Sequence, residues 1–136
     1  MLDTLGLIHE KINIVLQRAL KELDIDVHCG HIWLLMLVYE HEGSVELKYL
    51  IEQLGKKKTT VSDMVSTLEK KGYLMKQQVQ GDKRKYIIRA TSKALQEEEK
   101  IKKILTSIQQ QMFNGLEQND IAFINNSLIK ISCNLD

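Results

Sequence analysis

The sequence contains no proline and only two cysteines, Cys29 and Cys133, which stand far apart. Because proline interrupts helices, its absence suits long continuous ones. A disulfide framework is not expected from two such distant cysteines in a chain that looks cytoplasmic.

Long apolar runs are also missing. None approaches the roughly 18–20 residues that a membrane span needs. The longest run, Ile32 to Tyr39, contains a tryptophan and is predicted to be a buried helix. The N-terminus lacks the basic region, apolar run and small-residue cleavage site of a secretory signal. We therefore expect a cytoplasmic protein with no membrane partner, and the length of 136 residues suits one domain, 1–136.

The net charge of +1 hides an uneven distribution. Residues 56–93 contain eleven Lys or Arg and three Asp or Glu, a net charge of +8, whereas the rest of the chain carries −7. A basic segment on an acidic body is typical of a protein that binds a polyanion. A solvated lysine-rich surface is the alternative interpretation.

Apolar residues spaced three and four apart predict helices over 4–23, 31–41, 46–54 and 58–71. The second is apolar nearly all round, which predicts a central helix ending near Gly43. Gly55 is expected to close the third helix, and a tight turn then leads into the fourth. Two short helices joined in this way predict a helix-turn-helix.

A hairpin is predicted directly after the helix-turn-helix. Residues 73–79 and 85–91 alternate as strands do, and "QGDKR" between them supplies the turn residues Gly81 and Asp82. Ser92 is expected to cap a long helix of about seven turns, and a last helix is predicted over 119–133. The fold class is therefore mainly α with a small β-hairpin wing. It consists of a winged helix-turn-helix DNA-binding core at about 30–91, with N- and C-terminal dimerisation helices at about 1–25 and 92–136.

The terminal helices carry apolar stripes that exceed what a small winged-helix core needs. A second copy of the chain is the simplest partner to bury them, because twofold homodimers are the commonest oligomers. The alternative is that these helices pack only on their own subunit.

The polar face of the 58–71 helix carries small hydroxyl side chains and a lysine that suit a DNA major groove. The Lys56–Lys58 run lies at its N-terminus, where backbone N–H groups also favour phosphate. In the hairpin, Arg84 could enter a minor groove, with Asp82 holding it by a charge-assisted bond. An ordinary polar surface is the alternative. The predicted DNA-binding residues are Lys56, Lys57, Lys58, Thr59, Thr60, Ser62, Asp63, Ser66, Thr67, Lys70, Asp82, Lys83, Arg84 and Lys85.

Two stretches carry a family resemblance. "LGKKKTTVSDMVSTLEKKGYL", residues 54–74, and the following "GDKRKYIIRAT" closely resemble the MarR family of bacterial winged-helix regulators. The order of helices, including "HIWLLMLVYEHEG", matches the family over nearly the whole chain. Lys56, Lys57 and Asp63 depart from it, because the family often has an apolar residue, an acid and a basic residue there. The base-reading pattern is therefore expected to differ.

The resemblance implies a homodimer built from the terminal helices and bound to a pseudo-palindromic operator in double-stranded DNA. Each recognition helix would enter a major groove, and each wing a neighbouring minor groove. Arg84 would contact the DNA from the wing tip, and Asp82 would orient the Arg84 side chain. Such proteins usually repress transcription, and many release DNA when a small ligand or an oxidant binds near the dimer interface.

The sensing function is less specified by the sequence. The resemblance implies a ligand pocket between the first helices and the long helix, and His9, Trp33, Met36 and Tyr39 could line it. All four could equally be core residues, and the core is favoured for Trp33 and Met36. His28, Cys29 and His31 lie close together, but their spacing fits no strong metal template, so no metal site is predicted. Cys29 could sense an oxidant or be inert.

Two other classes of function remain as alternatives. A winged-helix module could bind an acidic protein partner without DNA, although the basic wing argues against it. An enzyme is not expected, because the sequence shows no nucleophile–base pair, no phosphate-cradling glycine loop and no separate carboxylate pair. No cofactor is predicted.

Overall fold

The computed structural model describes residues 1–136 and shows a mainly helical chain with one small sheet. The elements in chain order are α1 (Leu2–Glu22), α2 (Ile32–Glu40), β1 (Ser44–Glu46), α3 (Leu47–Leu54), α4 (Lys58–Lys70), β2 (Leu74–Val79), β3 (Asp82–Ala90), α5 (Ser92–Met112) and α6 (Gln118–Asn134). A 3-10 turn, Cys29–His31, precedes α2. The predicted fold class, a winged helix-turn-helix with additional terminal helices, is confirmed.

The core forms around α2, whose apolar character on nearly every side predicted a central position. Six of its nine residues are buried, and they pack with the apolar stripes of α3, α4 and the start of α5. One prediction for α2 is wrong. Trp33 was expected in the core, but its side chain is 61% exposed, because it lies on the one side of α2 that no other element of the chain covers. Met36 is half-buried against the core.

The turn between α3 and α4 forms as the sequence predicts. Gly55 ends α3 with a left-handed backbone, φ 62°, and its N–H bonds to the carbonyl of Ile51. A residue with a Cβ adopts this conformation at a cost, which explains the glycine. The reversal lets α4 start at Lys58 and turn its buried stripe toward α2 and α3.

The sheet has three strands, in the order β1-β3-β2, and both pairings are antiparallel. The sequence analysis did not find β1, because three residues between two helices are too few to show a strand pattern. Val45 of β1 is buried opposite Ile88 of β3. This pairing fixes the base of the wing to the helical core.

The hairpin differs from the predicted loop of five residues. Its turn is only Gln80–Gly81, with Gly81 at φ 89°, and β3 already begins at Asp82. Regular pairing ends at Gln78 with Tyr86, and the next pair is Val79 with Asp82. Three residues of β3 therefore have no partner on β2, and this bulge is Lys83, Arg84 and Lys85. Bulges of this kind redirect side chains, and this one displays the basic residues at the tip of the wing.

The start of α5 also differs by one residue. Thr91, not Ser92, is the N-cap, since its hydroxyl accepts a hydrogen bond from the N–H of Ala94. The Thr91 hydroxyl also bonds the carbonyl of Gly72, at the end of α4. One threonine thus begins α5 and ties it to the end of α4.

The terminal helices leave most of their apolar surface uncovered. In α1 only Leu16 and Leu20 are buried, and α6 has no buried residue at all. Phe123 of α6 is 74% exposed. The structure therefore does not bury the stripe of α6 within its own subunit. None of the helices is long and apolar enough to cross a bilayer.

Candidate nucleic-acid interface

The recognition helix α4 has two distinct sides. Val61, Met64, Val65 and Leu68 are buried, and they fix which side meets the solvent. The solvent side carries every α4 residue that the sequence analysis placed there. Ser62 and Thr67 are half-buried at its edges, and the exposed residues are Lys58, Thr59, Thr60, Asp63, Ser66 and Lys70.

The N-terminus of α4 has no side-chain cap. Lys57 is the N-cap residue, and no side chain bonds the first-turn N–H groups of the helix. Those groups normally need an acceptor from a side chain, water or a ligand. Here they lie next to Lys56, Lys57 and Lys58, all exposed. Positive side chains and free N–H groups at one helix end form an environment that suits a phosphate.

The wing tip is held by two hydrogen bonds. The carboxylate of Asp82 accepts from the backbone N–H of Arg84, with an Oδ1–N distance of 3.0 Å. The side-chain amide of Gln78 donates to the carbonyl of Lys83 at 2.9 Å. Asp82 therefore acts on the backbone of the bulge, and the guanidinium of Arg84 remains exposed with no protein partner.

The positive side chains of residues 56–93 fall into two groups. Five are engaged within the protein. Lys71 pairs with Asp26 and Lys85 with Glu46, Lys76 lies over the ring of Tyr86, Lys93 lies over the ring of Tyr73, and Arg89 bonds Gln77. The other six have no partner in the chain, and they are Lys56, Lys57, Lys58, Lys70, Lys83 and Arg84. These six lie only at the two ends of α4 and at the wing tip.

Two structural contacts were missed by the sequence analysis. Glu46 lies 3.1 Å from Lys85, and Glu69 accepts from the backbone N–H of Lys76 at 3.0 Å. Both join the wing to the helical core, so they position the wing relative to α4. Neither contact is local in sequence, and no short-range pattern could have identified them.

The histidine and cysteine cluster lies in the 3-10 turn and in His28 just before it. The rings of His28 and His31 are 5.6 Å apart, and Nδ1 of His28 accepts from the N–H of Gly30. Nδ1 of His31 is buried without a hydrogen-bond partner. Burial, followed by His28 and Lys71, lowers the pKa of His31. Cys29 is a half-buried free thiol, and no group of three or more possible metal ligands is assembled in the chain.

A large apolar groove lies between α1, α5 and α6. Its volume is about 670 Å³, and the side chains along it come from the apolar stripes of all three helices. They include Leu5, Ile8, Ile12, Ile108, Met112, Ile124 and Leu128. None of the four residues predicted to line a ligand pocket lies in it. His9 and Trp33 are exposed elsewhere, Met36 is half-buried, and Tyr39 is a buried core residue whose hydroxyl bonds the carbonyl of Ala94. Their role in ligand binding stays a prediction.

Comparison with known proteins identifies the fold and places a MarR-family match in its central part. The sequence model of the MarR family matches residues 30–86. A MarR protein from Peptoclostridium difficile has the same fold at 26% identity, with a TM-score of 0.88 over 98% of this chain and 86% of that one. A MarR family regulator from Listeria monocytogenes complexed with 26mer DNA is similar at 23% identity, with a TM-score of 0.87 over 99% and 88%.

A third solved relative is an organohalide-sensing transcriptional regulator in its 2,4-dichlorophenol-bound form. It is 20% identical, with a TM-score of 0.84 over 94% of this chain and 75% of that one. No curated protein sequence matches the chain significantly. The family match covers the helix-turn-helix and most of the wing, and the fold extends the likeness through the terminal helices. Residues 30–86 match the MarR family model, and the chain as a whole has the winged helix-turn-helix fold of the solved MarR structures.

Proposed function

We propose that the chain is a cytoplasmic, sequence-specific regulator that binds double-stranded DNA through α4 and the wing. The observation that carries this proposal is the placement of the six unpartnered cations. Every other Lys or Arg of residues 56–93 is engaged within the protein, whereas these six surround the solvent side of α4 and occupy the wing tip. Unpaired cations on one surface are what a polyphosphate requires.

In this proposal α4 enters the major groove, and its hydroxyl side chains meet base edges. The lysines at both ends of the helix would contact the phosphates that border the groove. Arg84 would enter the neighbouring minor groove, whose negative potential attracts arginine. The bond from Asp82 to the Arg84 backbone supports this role, because it holds the bulge while leaving the guanidinium free.

We propose further that the regulator is a homodimer. The groove between α1, α5 and α6 exposes a continuous apolar surface, and α6 has no buried residue in the single chain. Contiguous exposed apolar surface of this kind marks an interface. A second copy docked by the same helices would bury both surfaces and present two α4 helices related by a twofold axis, which suits a pseudo-palindromic operator.

Repression, with release by a small ligand or an oxidant near the dimer interface, is the mode of regulation we propose. Two observations support it. The relative bound to 2,4-dichlorophenol shows that a protein of this fold can take a small aromatic ligand. Cys29 is a half-buried free thiol at the start of the 3-10 turn that leads into α2.

The test of DNA binding is a titration of the purified chain with duplex DNA at several salt concentrations. We expect the logarithm of the binding constant to fall with the logarithm of salt concentration by roughly 0.9 for each phosphate contact. If the chain binds no duplex even in dilute buffer, the proposal is contradicted. The alternative, a winged-helix module that binds an acidic protein partner, would then be favoured.

A further inference from the structure

The helix α4 carries two acidic residues, Asp63 and Glu69, and only one of their carboxylates has a hydrogen-bond partner in the chain. The carboxylate of Glu69 is engaged, since it accepts from the backbone N–H of Lys76 at 3.0 Å. Asp63 is exposed, takes part in none of the four ion pairs of the chain, and makes no side-chain hydrogen bond. Only its backbone carbonyl has a side-chain partner, the hydroxyl of Thr67. Asp63 is therefore the one acid of α4 without a structural role in the chain.

The position of Asp63 places it among the side chains that would face the bases. It is in the N-terminal half of a helix of 13 residues, the half that contacts base edges in helix-turn-helix proteins. Its exposed neighbours one turn away, Thr59, Thr60 and Ser66, are short and uncharged. The unpartnered lysines lie further off, at the two ends of the helix. The long cations can thus reach the phosphates at the walls of the groove, while the short carboxylate points to its floor.

A carboxylate at the floor of the major groove has few acceptable partners. It can only accept hydrogen bonds, and losing its hydration without a partner is costly. Guanine and thymine present acceptors at their major-groove edges, which repel it. Adenine presents its amino group between two acceptors, its own N7 and the O4 of the paired thymine. Cytosine presents its N4 amino group with an acceptor on one side only, the O6 of the paired guanine.

We infer that Asp63 is a specificity-determining residue that selects a cytosine in each half-site, by accepting a hydrogen bond from its N4 amino group. This inference rests on the proposed DNA binding and adds the identity of one base pair. The absence of any arginine on the solvent side of α4 agrees with it, because arginine is the usual reader of guanine. An unpaired carboxylate among small hydroxyl side chains instead suits a base that donates a hydrogen bond in the major groove.

The experiment is selection of bound duplexes from random DNA with the wild-type chain, Asp63→Asn and Asp63→Ala. We expect the wild-type sites to contain a fixed cytosine in each half-site. Asparagine can pair with the N6 and N7 atoms of adenine, so Asp63→Asn should change that base to adenine. Asp63→Ala should lose the preference at this position and keep the other selected bases.

A matched control separates base reading from charge. Glu52→Gln removes one negative charge from exposed surface of α3 in the same helix-turn-helix. It should raise the affinity for all duplexes alike and leave the selected sequence unchanged. In wild-type sites, replacing the selected cytosine by thymine should weaken binding by at least roughly fivefold, and by much less in Asp63→Ala.

Two results would overturn the inference while leaving DNA binding intact. One is the same selected sequence for the wild type and Asp63→Ala. The other is retention of duplexes by the wild type with no cytosine fixed under α4. If the wild type retained no duplex at all, the proposed function would fail and the inference with it.

Discussion

The phenolic oxygen of Tyr39, in α2, donates a hydrogen bond to the backbone carbonyl of Ala94, in the first turn of α5. The two residues are 55 positions apart in the sequence, and the bond is buried. It connects the central helix of the winged-helix core to the long helix that we propose takes part in dimerisation. The bond from Thr91 to Gly72 is a second contact between α5 and this core.

Removing the Tyr39 hydroxyl should destabilise the chain without changing its fold. Tyr39→Phe keeps the ring and loses one buried hydrogen bond, so we expect the free energy of unfolding to fall by about 1 kcal/mol. Tyr86→Phe is the control, because its hydroxyl makes no hydrogen bond and its ring is half-buried. Urea unfolding followed by circular dichroism measures both. Equal effects of the two substitutions would contradict the importance of the Tyr39 bond.

Acidification should destabilise the chain through His31. Burial, together with His28 and Lys71, lowers the pKa of its imidazole from the ordinary value of 6.5. The unfolded chain therefore takes up the proton first as the pH falls, so the stability that His31 contributes is present above pH 6.5 and is lost below it. Urea midpoints at pH 7.5 and 5.5, conditions on either side of the ordinary histidine value, measure the change. His31→Gln should lose part of this dependence, and His9→Gln, on exposed surface of α1, should keep it.

Arg84 should contribute more to operator binding than any cation on the body of the protein. Since its guanidinium is exposed and unpartnered at the wing tip, Arg84→Ala should weaken operator binding by about 1–3 kcal/mol. Arg18→Ala removes the same charge from α1 and should leave affinity nearly unchanged. Fluorescence anisotropy with a labelled duplex gives the affinities, and sedimentation shows whether the assembly is intact. Unaltered affinity in Arg84→Ala would remove the wing from the mechanism.

The two lysines of the wing bulge should differ in their contact with phosphate. Lys85 is paired with Glu46 at 3.1 Å, whereas Lys83 has no partner. We expect Lys83→Met to reduce the slope of affinity against salt by about 1, as the loss of one phosphate contact does. Lys85→Met should reduce it by less. The same slope for both variants would show that the pair with Glu46 opens on DNA.

The proposed homodimer should depend on the groove between α1, α5 and α6. Leu128→Lys places a charge on the apolar lining, where dimer formation would have to bury it, and should yield monomers of 15.7 kDa. Asn126→Lys adds the same charge to an exposed residue of α6 outside the groove and should leave the dimer intact. Sedimentation velocity distinguishes the two. A wild-type chain that is monomeric at micromolar concentration would contradict the interface.

Much of the fold followed from local patterns. Apolar residues at helical spacing identified every α-helix, and their stripes told which side of α4 meets the solvent, because these relationships act within a few residues of one element. Gly55 likewise located the turn between α3 and α4, and Gly81 and Asp82 located the turn of the wing. The resemblance then indicated the MarR family, and the MarR family model matches residues 30–86.

What the tertiary structure alone decided are relationships between residues distant in the sequence. The pairing of β1 with β3 and the exposure of Trp33 depend on which elements pack against each other. The spacing of apolar residues within one element does not show this. The same holds for the engagement of Lys85 by Glu46. The charge total of residues 56–93 was fixed by the sequence. Which cations remain free for a partner was decided by folding, because an ion pair or a ring contact forms only when the chain brings its members together.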